Sequence, residues 1–568
     1  MNYKEKVIEV INGVAKKEYF SIEDVEIPAN KEHGDFALPC FKLAKELKKS
    51  PIKIALDFVG EISKHGKKKI FDKVVAVGPY VNFFVPMQSM VEEVLTEAQK
   101  GDYGSKGIGK RKKILLEHTS SNPNAPLHLG RARNSLIGDS IKRILNFEQY
   151  DVKTHFFVND VGKQIALLVM AVRAKELEKL DFNNILEAYI EINKQAEEDS
   201  QIEQGAFELL KSFEDGDKEV IKLFGDIVKV CVENQSKSLE EIGIKFDSFD
   251  YESKFLFNKK TDDVLNRLSK TKKLFKDREG RNVLNQDNEI ELKNSMKSPV
   301  LVLTRKDGTS LYPLRDLVYT EEKMKSSDNN ILILGEDQKL YFKQIVGALK
   351  LLGYGDKIPR VVNYSFILLD EGKMATRKGN VVLLGEFREK LLEKAKEELR
   401  KRYHNMDKKR LDELGKMIGY GALKYAILKV SPDKNVNFNW EHALSFDGES
   451  APYIQYTHAR ACSILRKGRL NIKIADFKLI QTSKEKGLVK KIGEFKDIAE
   501  KACEELRPHI VAVYLYELSK LFNEFYSECQ VINENKIITN TRMMIVNGFR
   551  NTVRNGLGLL GIDAPDEM

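Results

Sequence analysis

At 568 residues the chain is too long for one hydrophobic core, and three or four domains are expected. Its hydrophobic share of 42% is that of a globular protein, and no apolar run approaches the length that spans a bilayer. Lys and Arg outnumber Asp and Glu by 94 to 85, and this net charge of +9 suits a nucleic-acid partner as readily as it suits heavily charged surface helices.

The N-terminal MNYKEKVIEVINGVAKK alternates charge with apolar residues at helical spacing, unlike a signal peptide, so the cytoplasm is the expected compartment. Up to about residue 95, helical spacing (Phe41, Leu43, Ala44, Leu47) mixes with the strand pattern VVAVGPYVNFFVP. A Lys/Gly-rich connector, 100–113, marks a boundary. From Ile114 short apolar strands alternate with helices: ILLEH, VKTHFFV, PVLVLTR, NNILILG and SFILLD. That alternation predicts a parallel α/β sheet, with a charged, mainly helical insertion at about 170–295. After about residue 405 the strand signal fades, and Leu411, Leu414, Ile418, Val511, Leu515 and Leu518 recur at helical spacing. The expected class is therefore α/β. A Rossmann-like parallel-sheet domain (110–405) would stand between an α+β N-terminal domain (1–100) and a C-terminal α-helical bundle (406–568). Five scattered cysteines suggest buried reduced thiols and no metal site.

Residues 117–139, EHTSSNPNAPLHLGRARNSLIGD, hold the densest chemistry. Strand, Pro-containing turn and helix in succession form an anion cradle. The first amides of a helix lack internal partners, and its dipole is positive there. Gly130 lets a phosphate approach the backbone, and His128 can donate to it. A second segment, GKMATRKGNVVLL (372–384), crowds Lys373, Arg377 and Lys378 into a glycine-bounded loop. Alone it reads as a solvated basic turn. Paired with the cradle, it reads as a mobile polyphosphate clamp.

On these residues the chain resembles class I aminoacyl-tRNA synthetases. HLGR is similar to their His-x-Gly-His element, and KMATR to their Lys-Met-Ser-Lys-Ser loop. The longer EHTSSNPNAPLHLGRARN and MATRKGNVV resemble the arginyl-tRNA synthetase forms of these motifs. GDFALPCFKLAKELKKSP with VGPYVNFF resembles that family's N-terminal domain, and SFDGESAPYIQYTHARACSILRK with GLGLLGIDAPDEM its anticodon-binding domain.

The resemblance implies ATP-dependent activation of L-arginine, followed by transfer to the 3′ end of tRNA(Arg), with Mg²⁺ carried on ATP. It implies catalytic roles for His128, Arg131, Lys373 and Lys378, and ATP contacts from those residues with Gly130, Asn134 and Met374. Glu117, Asn122, Tyr312, Asp316 and Gln338 would surround arginine. The tRNA would meet Asn82, Phe84, Tyr453, Tyr456, Tyr526 and Met568, and a monomer is expected.

Independently, burying a guanidinium requires carboxylates. Tyr312 and Asp316 stand four apart, on one face if helical. The residues alone leave open a surface carboxylate paired with Arg315 and an ordinary half-buried aromatic. Aromatics at the spacing of Tyr453 and Tyr456 also suit a helical core. Two positions depart from the family pattern: Arg131 replaces the second histidine and Thr376 the second lysine. Arg131 is read as compensating for Thr376, against a steric or solvent-facing role. A noncatalytic tRNA-binding paralogue and a small-molecule nucleotidyltransferase are the other readings of these motifs.

Overall fold

Alternating apolar residues on either side of Gly78-Pro79 fold back on one another. β1 (Phe36–Pro39), β2 (Lys73–Val77) and β3 (Tyr80–Phe84) form an antiparallel sheet ordered β1-β3-β2. Gly78 supplies the left-handed φ of 56° at the turn. Helices Tyr3–Ala15 and Pro51–Lys64 bury Val7, Ile11, Ile54, Phe58 and Ile62 in one core with Leu38, Val81 and Phe83. The computed structural model describes residues 3–28, 30–64, 70–175, 180–369, 372–373 and 382–568.

These described residues form two units. One comprises 1–103, 461–495 and 520–552, the other 104–460, 496–519 and 553–568. Within the first, N-terminal and C-terminal segments share a core: Asn551 donates to the Ala98 carbonyl (2.8 Å), Tyr103 to that of Ile492 (2.9 Å), and Lys490 pairs with Asp35 (2.6 Å).

The second unit is built on five strands: β4 (Lys113–Glu117), β5 (Asp151–Val158), β6 (Ser248–Tyr251) and, further along the chain, two more. β7 (Leu274–Lys276), β8 (Asn282–Asn285) and β9 (Val300–Val302) form a separate antiparallel sheet before β10 (Asn329–Gly335) and β11 (Arg360–Tyr364) rejoin the main one. The order is β11-β10-β4-β5-β6, parallel throughout. The chain leaves β4 for β5 on one side, and β10 returns on the other. That reversal opens a crevice at the carboxyl ends of β4 and β10.

Three expectations change. PVLVLTR supplies β9 and SFILLD supplies β12 (Ile367–Leu369). β12 pairs with β13 (Gly372–Lys373) and β14 (Val436–Phe438), so neither run joins the parallel sheet. Residues 170–295 are also not a pure insertion, because β6 within them is the sheet's edge strand. Its sequence, SFDY, is only half-buried, so it lacks the apolar run that marks a central strand. Around it, helices Lys163–Ala174, Phe182–Glu198, Ser200–Glu214 and Lys218–Glu240 bury Ile165, Leu168, Ile185, Leu210 and Phe224 together. Beyond residue 383 the described elements are helical apart from β14 and short 3₁₀ turns. All five cysteines are free and buried, and no described helix is long and apolar enough to cross a membrane.

Candidate active site

Glu117 is the last residue of β4. Immediately after it Thr119 and Ser120 adopt φ of +78° and +34°, a costly conformation for a β-branched residue. The following helix, Leu129–Phe147, holds them there. Asn134 Oδ1 accepts from the Thr119 amide (2.7 Å), and Asn134 Nδ2 donates to the Ile333 carbonyl of β10 (2.9 Å). Thr119 Oγ1 meets Ser135 Oγ (2.7 Å) and His118 Nδ1 (2.9 Å), all buried. The sharp turn brings Ser120 Oγ back onto Glu117 Oε1 at 3.2 Å.

His128 caps this helix. Its Nδ1 accepts from the Arg131 amide at 3.3 Å. Burial, reinforced by Arg131, lowers its pKa to about 4, so the imidazole is neutral near pH 7. With Nδ1 accepting, the proton sits on Nε2, which is thereby a donor at the positive end of the helix. Gly130 lies in the first turn.

The first motif is bonded to the chain around the second. Leu129 N donates to Val382 O (3.1 Å) and Leu384 N to Leu127 O (2.8 Å). Arg133, fully buried, donates to the carbonyls of Ser365 (2.6 Å), Phe366 (3.1 Å), Ser431 (3.3 Å) and Lys434 (2.6 Å). Lys373 is placed by its backbone in β13, while Met374, Thr376, Arg377 and Lys378 lie outside the described residues.

A cavity of about 480 Å³ occupies the crevice. Glu117, Asn122, Tyr312, Asp316 and Gln338 all line it, and so does Arg131. Helix Tyr312–Ser326 carries Tyr312, Asp316, Tyr319 and Lys323 at offsets 0, 4, 7 and 11, one face, and every one of them borders the cavity. Asp316 is no surface partner of Arg315. It accepts from Tyr341 Oη at 2.5 Å, and Arg315 pairs with Glu252 (2.6 Å). Loss of solvation raises the Asp316 carboxyl to about 6, Tyr341 opposing and Glu117 adding. Glu117 is held by a buried ion pair with Lys323. Asn134 does not border the cavity, since its amide is engaged by Thr119 and Ile333.

Away from the cavity, Tyr456 is exposed with the Arg460 guanidinium 4.9 Å above its ring, and Tyr453 lies 5.7 Å from Tyr516. Met568 is half-buried. In the other unit Tyr526 is exposed over Phe522, Phe84 is half-buried under Lys73, and Asn82 is only 2% exposed with no hydrogen-bond partner for Oδ1.

Sequence reasoning missed Tyr319, Lys323, Glu252, Asn159 and Tyr341, which also border the cavity. Extending the helical spacing from Tyr312 and Asp316 by two turns finds Tyr319 and Lys323. Glu252 follows the unrecognised edge strand, and no local pattern marks it.

Comparison with known proteins agrees with this architecture. Residues 90–440 match the family described as tRNA synthetases class I (R), catalytic domain. Residues 454–568 match the DALR anticodon binding domain, and residues 1–85 the arginyl tRNA synthetase N terminal domain. The chain is 38% identical to the arginine–tRNA ligase of Methanocaldococcus jannaschii over all of both chains. It is 38% identical to that of Methanosphaera stadtmanae, with 96% of this chain and 95% of the other covered. Among solved structures it is similar to the arginyl-tRNA synthetase of Thermus thermophilus, with a TM-score of 0.82, 25% identity and all of both chains covered. The Plasmodium falciparum structure has the same fold at a TM-score of 0.80 and 20% identity, covering 100% of this chain and 99% of the other. With a strand-end carboxylate, a His-capped helix start and a carboxylate-lined cavity in one crevice, and full-length relatives on both comparisons, the chain belongs to the arginyl-tRNA synthetase family of class I tRNA synthetases.

Proposed function

We infer that this chain is an arginine–tRNA ligase that joins L-arginine to ATP as arginyl-adenylate, releasing pyrophosphate. It then passes arginine to the 3′-terminal ribose of tRNA(Arg). The charge of the cavity supports this most directly. Glu117 is paired with Lys323 and Glu252 with Arg315, whereas among the described residues Asp316 accepts from the Tyr341 hydroxyl and makes no ion pair. A guanidinium, charged at every working pH and planar in its donors, suits this carboxylate. Neutral citrulline, of nearly the same shape, offers Asp316 no cation, and a site built on buried charge can reject such a mimic by ~10⁴-fold.

In this reading Glu117, Asn122, Tyr312, Asp316 and Gln338 hold arginine, with Glu252 and Tyr341 behind them. His128 Nε2–H and Gly130 meet the phosphates at the helix start. Arg131 adds a permanent cation there, compensating for Thr376, and Lys373, Met374 and Lys378 come from the loop that follows β13. Asn134 serves ATP indirectly by fixing the turn. The protein positions the arginine carboxylate against the α-phosphate and stabilises the charge that develops as pyrophosphate leaves. Mg²⁺ enters as part of the ATP substrate.

Unpaired bases of tRNA would stack on Tyr453, Tyr456 and Tyr526, beside Met568. Phe84 is the better placed of the N-terminal pair, because Asn82 is buried. We assign residues 1–100 to a tRNA-contacting domain, 110–405 to the catalytic domain and 406–568 to the anticodon-binding domain, in a monomeric, cytoplasmic enzyme. Arginine-dependent ATP–pyrophosphate exchange, with and without tRNA(Arg), tests the assignment. Exchange that needs arginine and is indifferent to lysine and citrulline is expected, and exchange driven equally by another amino acid refutes it.

A further inference from the structure

Lys323 is the feature of the cavity that arginine recognition leaves unexplained. A cation on the wall of a pocket for a cation is unfavourable on its face, yet this ammonium is only 3% exposed and is carefully placed. It pairs with Glu117, whose other oxygen accepts from Ser120, and sits 4.0 Å over the Tyr319 ring. That ring is fixed in turn. Phe157 stacks on it at 4.8 Å, and Tyr319 Oη donates to Asp250 (2.7 Å), which also accepts from His155 Nδ1 (2.6 Å) and Ser248 (2.7 Å). A buried ion pair is rarely worth more to stability than two apolar residues of the same size. Its charge therefore calls for another explanation.

The charge count supplies one. Among the described residues the cavity is bordered by four carboxylates, Glu117, Glu252, Asp316 and Asp337, and by the cations Arg131 and Lys323, with Arg315 paired behind Glu252. Four negative charges against three positive leave one negative charge. Arginine, with two cationic groups and one carboxylate, carries one positive charge.

We propose that Lys323 is a specificity-setting positioning residue: by cancelling Glu117 it tunes the cavity to a ligand of one net positive charge and keeps Asp316 free of a proton. This rests on reading the cavity as the arginine site. The groups facing Asp316 are Tyr341, Tyr312, Tyr319, Glu117, Lys323, Arg315 and Glu252. With the ammonium gone, Glu117 and Asp316 face each other uncompensated, and one of them takes up a proton near neutral pH. Arginine must then displace that proton to bind.

The test is calorimetric titration of the full-length protein with L-arginine at pH 7.5, in buffers of differing ionisation enthalpy. Wild type is expected to release almost no proton. Lys323→Met is expected to release close to one and to bind at least tenfold more weakly, recovering as the pH is raised to 8.5. Lys323→Arg, which keeps the charge, should retain the wild-type proton count. Lys323→Met with Glu117→Gln removes both charges, so whatever arginine it binds should be taken up without proton release, and this pair carries the test if the single variant does not fold. Unchanged or tighter binding by Lys323→Met without proton release overturns the proposal, as does a double variant that still releases a proton. Asp316→Asn, run in parallel, separates the two levels. If it binds arginine normally, the site assignment has failed. If it loses arginine while Lys323→Met behaves as wild type, only the role of Lys323 has.

Discussion

Acid should weaken arginine binding through one carboxyl group. Burial holds Asp316 at about 6 instead of its ordinary 3.8. At pH 7.5 roughly 97% of it is ionised and at pH 5 roughly 9%, so the affinity for a guanidinium should fall about tenfold over that interval. The sign for the unliganded protein is the reverse. Because the folded pKa lies above the unfolded one, the stability contributed by this group is full below pH 4 and is lost as the pH rises through 6. The ionised form is thus disfavoured by at most about 3 kcal/mol, less to the extent that the cavity admits water. Bound arginine supplies the missing counter-charge, so its stabilising effect should be larger at pH 7.5 than at pH 5. Equilibrium binding and thermal shift, both in the absence of tRNA, measure the two consequences. Asp316→Asn should weaken binding by about 10²- to 10³-fold at pH 7.5, in line with breaking a buried charge pair, and should flatten the pH dependence. A dissociation constant that stays level between pH 7.5 and 5 in the wild type would show that the guanidinium is not read by Asp316.

Four other outcomes are expected. Arg131→Ala should slow single-turnover adenylate formation by about 10²-fold, the size of one transition-state charge contact, with the melting temperature preserved. The rate of adenylate formation should show no ionisation from His128 between pH 5.5 and 8, since its pKa lies near 4, and a His128 titration by NMR inside that window would contradict the tautomer assigned to it. Gly138→Ala would put a methyl carbon 2.3 Å from the buried His118 ring, so a loss of about 2 kcal/mol in denaturant unfolding is expected. Arg133→Lys replaces a fork that reaches four carbonyls with a point donor, and should cost about 2–4 kcal/mol in the same measurement.

The crevice was legible because its parts are local. Strand, turn and helix at 114–147 follow one another without a break, and Tyr312 and Asp316 are one helical turn apart. Edges and long-range pairings were not legible. β6 has no apolar run because an edge strand need not be buried on both faces, and so Glu252 just beyond it escaped notice. β9 and β12 look like sheet strands, but which neighbour they pair with depends on contacts distant in sequence. The N-terminal and C-terminal segments share a core through pairs such as Asn551 with Ala98, which no periodicity within either segment reveals.

Asn134 illustrates a division of labour inside the first motif. The Leu129–Phe147 helix has its first turn on the side proposed to hold the phosphates, where His128, Gly130 and Arg131 stand. Its next residues, Arg133, Asn134, Ser135 and Gly138, are turned inward and make the bonds and close contacts that fix the strained turn after β4 and the chain beside the second motif. A motif read as a set of ligands therefore contains a set of clamps, and the two respond differently to substitution. Changes at 128 and 131 should lower the rate of adenylate formation with little loss of stability, because in the proposed function the groups removed face the nucleotide. Changes at 133 to 138 should lower stability first, because the groups left behind are buried and unpaired. Measuring both quantities on each variant sorts the motif residue by residue. If Arg131→Ala melts the protein as severely as Asn134→Ala, the division is wrong, and the cation at the helix start is holding the fold instead of the phosphates.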